Sequence, residues 1–398
     1  MSEVLSFSQA YRRLLAKTAA LFLSYLAVAM TLPVTSIYVI DRLHYGNALG
    51  GLAVGITFFS TILTRGPAGR LCDQQGGKAC MRRGLCLYAL AGVVCLASSF
   101  LANQPALALG ALLAGRLLLG LGESLAIVGM SAWSIGLMGP VHSGKVMSLV
   151  GMGMYGAFAA GGPLGLLLFQ QTGFRPLMLV CALLPLAGLL LIRSFPGIRP
   201  HAGQRESFLR ILGRIGKPGA AVFLQGVGFA GLGAFFALYF SSRGWTWGSL
   251  GLTGFGVGFV LVRALCGHLP DRIGGAKVAL ISLGVEAVGQ WLIWSSAAPA
   301  AALLGALLTG IGCSMVFPSM GVEVVKRVPA HLRGTALGGF AAFQDLAYGL
   351  TGPIAGLFAD SFGYGAVFLI GAASAALGMA TVGLMLADRA PAAEPIQK

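Results

Sequence analysis

The sequence contains few charged residues. Only 10% of its 398 residues are Asp, Glu, Lys or Arg, whereas an ordinary soluble domain has about 25%. A soluble protein of this length needs a charged surface to stay dispersed, and this chain cannot supply one. Because 57% of the residues are hydrophobic, the composition indicates a protein that is surrounded mostly by lipid.

Acidic residues are the scarcest of the charged ones, with 12 Asp and Glu against 27 Lys and Arg. In a soluble protein, a net charge of +15 would suggest a nucleic-acid partner. Here the basic residues fall in alternate loops, and the loops between those hold only Arg42, Arg175 and Arg243. Since Lys and Arg accumulate in cytoplasmic loops, the pattern predicts that both termini are cytoplasmic, and no nucleic-acid partner is expected.

The motifs of the common enzyme classes are also missing from the sequence. It has no P-loop for ATP, no cysteine pair at metal-binding spacing and no catalytic-serine motif. None of the seven cysteines falls in a predicted outer loop, so we expect free thiols. The sequence therefore predicts that the protein is not an enzyme, with no catalytic residue, no metal site and no cofactor.

Long apolar runs take up most of the chain. A helix needs about 20 apolar residues to cross the hydrocarbon core of a membrane. The first run continues to about Ile40, which is too long for the core of a cleaved signal peptide, so we expect it to be retained. The sequence therefore predicts an all-α membrane protein with twelve transmembrane spans. They lie near residues 15–40, 48–66, 84–102, 106–130, 146–170, 176–195, 218–241, 249–268, 278–296, 299–325, 335–359 and 365–387.

A short polar turn between two spans occurs twice. The turn after span 2 reads Gly69-Arg-Leu-Cys-Asp73-Gln-Gln-Gly76, and the turn after span 8 reads Gly267-His-Leu-Pro-Asp271-Arg272-Ile-Gly274. Arg65 before the first copy is matched by Arg263 before the second. A charged turn that returns at half the chain length indicates two structurally equivalent halves.

Further matches between the halves follow in the same order. They include Gly120-Leu-Gly122 with Gly310-Ile-Gly312, and Gly162-Pro163 with Gly352-Pro353. We therefore place two six-helix halves at residues 1–195 and 218–398. The stretch 196–217 between them is rich in Lys and Arg, and we expect it to be a cytoplasmic linker held at an anionic lipid surface.

Twelve spans in two halves, a basic central loop and the repeated turn resemble the major facilitator superfamily of secondary transporters. More closely, stretches such as Thr64-Arg-Gly-Pro-Ala-Gly-Arg-Leu-Cys-Asp73 resemble the bacterial YhhS/YfcJ-type subfamily, which is placed among exporters. The resemblance implies a fold that alternates between inward-open and outward-open states, with the repeated turn helping to lock the outward-open state. The gate residues that it implies are Arg65, Gly69, Asp73, Gly76, Gly267, Asp271 and Arg272.

Span 4 carries Arg116 and, two helical turns later, Glu123 on the same face. The stretch from Arg116 to Gly122 is similar to the R-x-x-x-G-x-G motif that the superfamily associates with proton coupling. A buried Arg costs about 2.5 to 3.5 kcal/mol on insertion scales, so it needs a partner. Two interpretations stay open: a role in proton coupling or solute binding, and a structural Arg held by an ion pair or by backbone carbonyls.

Asp345 lies near the middle of span 11, where an ionised carboxylate is costly unless it has a partner. It is a candidate proton carrier or solute ligand, or else it makes a fixed contact with a neighbouring helix. Gln344 and Tyr348 on the same span, and Gln225 on span 7, are further candidates to line a central site.

The paired Gly162-Pro163 and Gly352-Pro353 resemble part of an element found in antiporters, and small residues at these places also let helices pack closely. Both interpretations stay open. Glu286 lies in span 9, which is peripheral in the resembling fold, so we expect it to have a structural partner. Glu323 is expected to pair with its neighbours Lys326 and Arg327.

Together these features predict a monomeric, multi-pass transporter of the bacterial inner membrane. Its expected partners are a small organic solute, protons and lipid, and its expected mode is proton-coupled export by alternating access. Uptake of a sugar or an organic acid with protons, and uniport, are alternatives. A non-transporting membrane sensor is disfavoured, since no soluble domain is present to report a signal.

Overall fold

The computed structural model describes residues 7–139, 143–197, 208–328 and 333–387. Within these ranges all regular structure is helical. The helices are α1 (Phe7–Ile37), which continues as a π-helical turn (Tyr38–Arg42), α2 (Asn47–Gln75), α3 (Gly77–Ser98), α4 (Pro105–Met138), α5 (Ser143–Thr172), α6 (Phe174–Ile192), α7 (Phe208–Ser242), α8 (Leu250–Cys266), α9 (Leu269–Ile273), α10 (Gly275–Ser295), α11 (Pro299–Arg327), α12 (Arg333–Phe362) and α13 (Gly365–Ala387).

Twelve of these helices are long, and they correspond in order to the twelve predicted spans. Ten described helices are long and apolar enough to cross a membrane, and α8 is a shorter apolar helix. The short helix α9 lies inside the second copy of the polar turn. Spans 9 to 12 are therefore α10 to α13.

The start of α7 differs from the predicted boundary. The helix begins at Phe208, inside the stretch 196–217 that the sequence indicated as linker. In this stretch apolar residues recur at helical spacing between Arg210, Arg214 and Lys217, which is the pattern of a helix lying at an apolar–polar boundary. A count of apolar residues alone therefore places the end of the linker too late.

The two halves meet mainly where α2 lies against α12 and α5 lies against α8. Glycines make the closest approaches between α2 and α12: a Cβ built on Gly51 would lie 2.0 Å from the carbonyl oxygen of Gly352, and one built on Gly55 would lie 2.5 Å from that of Gly349. Backbones can approach this closely only where no side chain intervenes. This glycine contact brings the halves together at the end of the bundle that the sequence predicts to be the outer one.

A polar contact closes the same end of the bundle. The Asp360 carboxylate of α12 accepts hydrogen bonds from the Asn47 backbone N–H (3.2 Å), the Asn47 side-chain amide (2.6 Å) and the Ala48 N–H (3.4 Å). The Tyr364 hydroxyl donates to Asn47 Oδ1 at 2.9 Å. Asp360 thus caps the first turn of α2 from the opposite half. We call this group of four residues the outer latch.

Aromatic rings fill the middle of the interface. Tyr155 of α5 stacks on Phe259 of α8 with ring centroids 3.6 Å apart, and Tyr348 of α12 packs edge-on against Phe58 of α2 at 4.9 Å. Phe229 of α7 contacts Tyr348 at 5.1 Å. These contacts separate the outer latch from the central polar residues.

The close packing of α2 against α12 ends beyond Arg65. A Cβ built on Gly66 or Gly69 would meet nothing within 4 Å, in contrast to the crowded Gly51 and Gly55 on the same helix. The described contacts between α2 and α12 thus extend from the outer latch to Arg65. With the orientation that Lys and Arg predict, this arrangement is inward-facing.

Candidate functional site

An ion pair between the halves lies at the inner end of this interface. Arg65 of α2 donates from Nε to Asp345 Oδ2 at 2.5 Å and from Nη2 to Oδ1 at 3.1 Å. The Asp345 side chain is 7% exposed and the Arg65 side chain 24%. Two parallel hydrogen bonds of this kind are the strongest geometry for such a pair. Asp345, predicted to need a partner, therefore has one in a residue that the sequence had placed in the gate.

A second carboxylate, Glu123 of α4, lies buried near this pair. Its Oε1 accepts a hydrogen bond from the Tyr25 hydroxyl of α1 at 2.6 Å. Its Oε2 has no hydrogen-bond partner among the described residues. Glu123 is within electrostatic reach of both Arg65 and Asp345. Arg116 acts on Glu123 as well, so two buried acids and two guanidinium groups influence one another here.

Arg116, the other basic residue predicted for this site, lies inside the N-terminal half. Its Nε donates to the Ala53 carbonyl at 3.1 Å and its Nη2 to the Val54 carbonyl at 3.4 Å, both on α2. Its Nη1 donates to Thr31 Oγ1 on α1 at 3.1 Å. Of the two interpretations open from the sequence, this geometry is that of an Arg held by backbone carbonyls. It fastens α4 to α1 and α2.

We expect Arg116→Ala to destabilise the protein markedly. The three hydrogen bonds that fasten α4 to α1 and α2 would be lost, and a hydrogen bond to a charged group contributes about 1.5 to 3 kcal/mol. Thermal unfolding in detergent measures the loss. Arg82→Ala on α3 is the matched control because Arg82 is exposed. A loss no larger than that of Arg82→Ala would contradict this role for Arg116.

Three further predicted residues lie together on the C-terminal half. Gln344 of α12 donates from Nε2 to Oε1 of the buried Gln225 on α7 at a long 3.4 Å. Tyr348 is one helical turn from both Gln344 and Asp345 on the same helix. The structure thus brings Gln225, Gln344 and Tyr348 to the same region as the Arg65–Asp345 pair.

Both predicted Gly-Pro elements lie at contacts between the halves. Gly352 faces Gly51 across the α2–α12 contact, and a Cβ built on Gly162 would lie 2.7 Å from Cβ of Leu252 on α8. Pro163 and Pro353 lie within α5 and α12. This geometry supports the helix-packing interpretation of these elements.

The two copies of the polar turn have similar backbones. Gly76 and Gly274 have φ of 86° and 96°, values that glycine adopts readily and other residues rarely do. The side chains of Asp73 and Asp271 lie outside the described residues. The other predicted gate residues differ in their surroundings: Gly69 faces open space, Gly267 follows the end of α8 and Arg272 is exposed.

The two matched arginines make different contacts. Arg65 pairs with Asp345 across the halves, whereas Arg263 donates from Nη2 to the Ser314 carbonyl at 2.9 Å within its own half. Its guanidinium also lies over the Phe259 ring, 5.1 Å from the centroid. Equivalent sequence positions have therefore acquired different partners.

Two buried acids outside this site, Glu323 and Glu286, differ in their contacts. Glu323 lies 3.5 Å from Lys326 Nζ and 3.8 Å from Arg327 Nη1, as expected. Glu286 was expected to have a structural partner, but neither of its oxygens has a hydrogen-bond partner among the described residues. The Cys313 thiol of α11 nevertheless interacts with this carboxyl, so the structural use of Glu286 stays a prediction.

Sequence reasoning missed Tyr25 and the outer latch. Tyr25 stands in an apolar run, where a hydroxyl needs a polar partner, and that need was the signal that could have singled it out. Asn47 and Asp360 look like loop residues in the sequence. Only the packing of α2 against α12 shows that they meet.

A family model described as Major Facilitator Superfamily matches residues 18–258 and 219–398. An uncharacterized MFS-type transporter of Salmonella typhimurium is 47% identical over 369 residues, covering 93% of this chain and 95% of the relative. An uncharacterized MFS-type transporter of Burkholderia mallei is 38% identical over 360 residues, covering 90% and 88% respectively.

Solved structures show the same fold at low sequence identity. A D-xylose–proton symporter aligns with a TM-score of 0.78 at 17% identity, covering 95% of this chain and 97% of its own. A mutant of the nucleoside transporter NupG aligns with a TM-score of 0.74 at 16% identity, covering 94% and 99%. The predicted all-α membrane fold of twelve helices in two halves is confirmed. The chain belongs to the major facilitator superfamily and is a multi-pass secondary transporter, not an enzyme.

Proposed function

We propose that the protein moves a small organic solute across the bacterial inner membrane in exchange for protons, with export as the working direction. The observation that carries this proposal is the Arg65–Asp345 ion pair, which joins the two halves at the inner end of their interface. A buried pair between moving bodies, with the second carboxylate of Glu123 nearby, couples a change of charge to a change of conformation.

Protonation of Asp345 is the proposed switching event. A neutral carboxyl holds a guanidinium much less strongly than a carboxylate does. Arg65 then loses its partner across the interface and turns to Glu123, while a solute that binds the Asp345 carboxylate excludes the proton from it. Because solute and proton compete for the same few groups, occupation by one favours release of the other, which is the behaviour of an antiporter.

The solute site in this proposal lies between the ion pair and the aromatic rings. Gln225, Gln344 and Tyr348 supply hydrogen bonds and a flat apolar surface, which suit a polar organic molecule. Arg116 supports the site from within the N-terminal half. A cation, a zwitterion or a weak acid suits these groups, provided that it competes with the proton for a carboxylate.

The halves 1–195 and 218–398 are proposed to rock about this centre as a monomer. The repeated turns, including Asp73 and Asp271, then form the inner gate of the outward-open state. The basic linker follows the anionic inner surface of the membrane. The YhhS/YfcJ-type exporter subfamily stays our assignment from sequence resemblance, and it is the basis for preferring export to uptake.

The direction of coupling can be tested in inside-out membrane vesicles whose interior is acidified by respiration and reported by a quenched pH dye. Pentoses, nucleosides, organic acids and lipophilic cations are added one class at a time. We expect at least one class to restore the dye fluorescence, because a solute that enters the vesicle drives protons out. Vesicles without the protein are the control. A solute that deepens quenching would identify symport, and a solute that moves without any proton flux would identify uniport; either result contradicts the proposed antiport.

A further inference from the structure

Glu286 of α10 is a carboxyl group that the proposed transport mechanism does not yet use. It is 0% exposed, and neither oxygen has a hydrogen-bond partner among the described residues. Helices α7 and α11 close over it through glycines: a Cβ built on Gly228 would lie 2.6 Å from Oε1, and one built on Gly312 would lie 2.7 Å from Cβ of Glu286. A larger residue at Gly228 would fill space that the carboxyl occupies, and one at Gly312 would press on the backbone of α10.

The groups that face Glu286 are uncharged. From α11 the titratable group is the Cys313 thiol. From α7 there is the amide of Gln225, which reaches the same thiol. On α10 itself, Gln290 donates to the Gly228 carbonyl at 3.2 Å. On the α13 side Gly371 lies against the other end of Gln290, and no Lys or Arg of the described chain pairs with the Glu286 carboxyl.

An ionised carboxylate in this position would have neither water nor a cation to compensate its charge, and such burial is very costly. A protonated carboxyl has no such penalty. The surroundings therefore suit a carboxyl that carries a proton in this conformation.

The internal repeat places Glu286 at the level of Glu123. The register that matches Gly120-Leu-Gly122 with Gly310-Ile-Gly312 aligns Glu123 with Cys313. The register of the polar turns aligns Tyr88 with Glu286. By the repeat, Glu123 on α4 and Glu286 on α10 are thus at corresponding levels of the two halves.

A polar path connects Glu286 with the central site. The Cys313 thiol lies between the Glu286 carboxyl and the Gln225 amide, and Gln344 donates to Gln225. Gln344 is the residue before Asp345. The path therefore ends on α12, the helix that carries the acid of the proposed switch.

We propose that Glu286 is a second proton-binding site, which belongs to the C-terminal half and exchanges its proton with the central site along Cys313 and Gln225. The inference rests on the proposed proton coupling and extends it. The ligand is a proton: binding converts the carboxylate to the carboxylic acid, and release along the path restores the carboxylate.

Infrared spectroscopy of the purified protein in lipid tests the site without any solute. We expect a protonated-carboxyl C=O band at neutral pH that is lost in Glu286→Gln, a near-isosteric replacement for the neutral acid. Glu323→Gln is the matched control, because Glu323 is paired with Lys326 and Arg327 and contributes no such band. Glu123→Gln identifies the part of the C=O band that comes from Glu123 in the N-terminal half. Asp345→Asn should leave the Glu286 band in place.

Exchange into D2O distinguishes a proton site from an inert buried acid. In the wild type the Glu286 band should shift as deuterium replaces the proton, and Cys313→Ala or Gln225→Leu should slow that shift several-fold. If Glu286→Gln does not fold, Glu286→Asp is used instead, and its band should move in frequency.

Three results would overturn the proposal: a wild type without a protonated-carboxyl band at neutral pH, a band that Glu286→Gln or Glu286→Asp leaves unchanged, and a Glu286 band that does not exchange. Exchange that the path variants leave at the wild-type rate would overturn the path. Loss of solute-driven proton flux alone, with the band and its exchange intact, would count against the proposed antiport and not against this site.

Discussion

Asp345→Asn should abolish proton-driven transport and lower stability. The substitution removes both the titrating group and the partner of Arg65, which is left largely buried with its charge uncompensated. Removing one member of a buried ion pair costs about 3 to 5 kcal/mol, and we expect the lower end because the Arg65 side chain is 24% exposed. The loss of transport is measured by solute-driven dye fluorescence in inside-out vesicles. The loss of stability is measured by thermal unfolding in detergent.

The double variant Arg65→Gln/Asp345→Asn separates the effects. It removes the unpaired charge, so it should regain most of the lost stability while proton-driven transport stays absent. Strong non-additivity between the single variants is the signature of a direct pair. Stability losses that simply add, or proton-driven transport that survives Asp345→Asn, would refute the role of the pair as the switch.

Gly352→Val should force the halves apart at the outer end. Even a Cβ at this position would lie 2.2 Å from the Gly51 carbonyl oxygen, so the valine fits only if α2 and α12 separate. The inward-facing arrangement is then destabilised, and the population shifts towards the outward-open state. Spin labels at Asn103 and Ser295, exposed residues near the predicted outer end of each half, should give a longer distance than in the parent protein.

Gly66→Val is the matched control on α2, at an exposed position beyond the contact between the halves. It adds the same side chain to α2 at a position where a Cβ meets nothing within 4 Å. The Asn103–Ser295 distance should therefore stay as in the parent, apart from a small cost in helix stability. An equal shift in both variants would show that valine acts on the helix itself and not on the contact between the halves.

The order of the helices could be predicted from the sequence because each span is a run of about 20 apolar residues. The burial of Asp345 followed from the same pattern. Its partner did not, because Arg65 belongs to the other half and no periodicity along the chain encodes how two halves meet. The sequence also left two uses open for Arg116, and the carbonyls of Ala53 and Val54 support the structural one.

For Glu286 the sequence indicated the helix but not the groups around it. Its place in a peripheral span suggested a structural partner. The position of a span in the fold indicates which helices are its neighbours, but not which side chains those helices present to it. The neighbouring helices offer glycines and an uncharged thiol and amide at this point. The uncharged surroundings of Glu286 could therefore be recognised only from the packed structure.

The outer latch favours the conformation in which the outer end of the bundle is closed. The residue before α2 is Gly46, which has no side chain to cap the helix, so the Asn47 and Ala48 amides depend on Asp360 of the opposite half. A side-chain cap stabilises a helix by about 0.5 to 2 kcal/mol, which corresponds to a roughly two-fold to thirty-fold preference for the closed outer end. Each opening to the outside uncovers the positive end of the α2 dipole, a place where anions bind. The ionic composition of the external medium should therefore influence how long the transporter stays open to it.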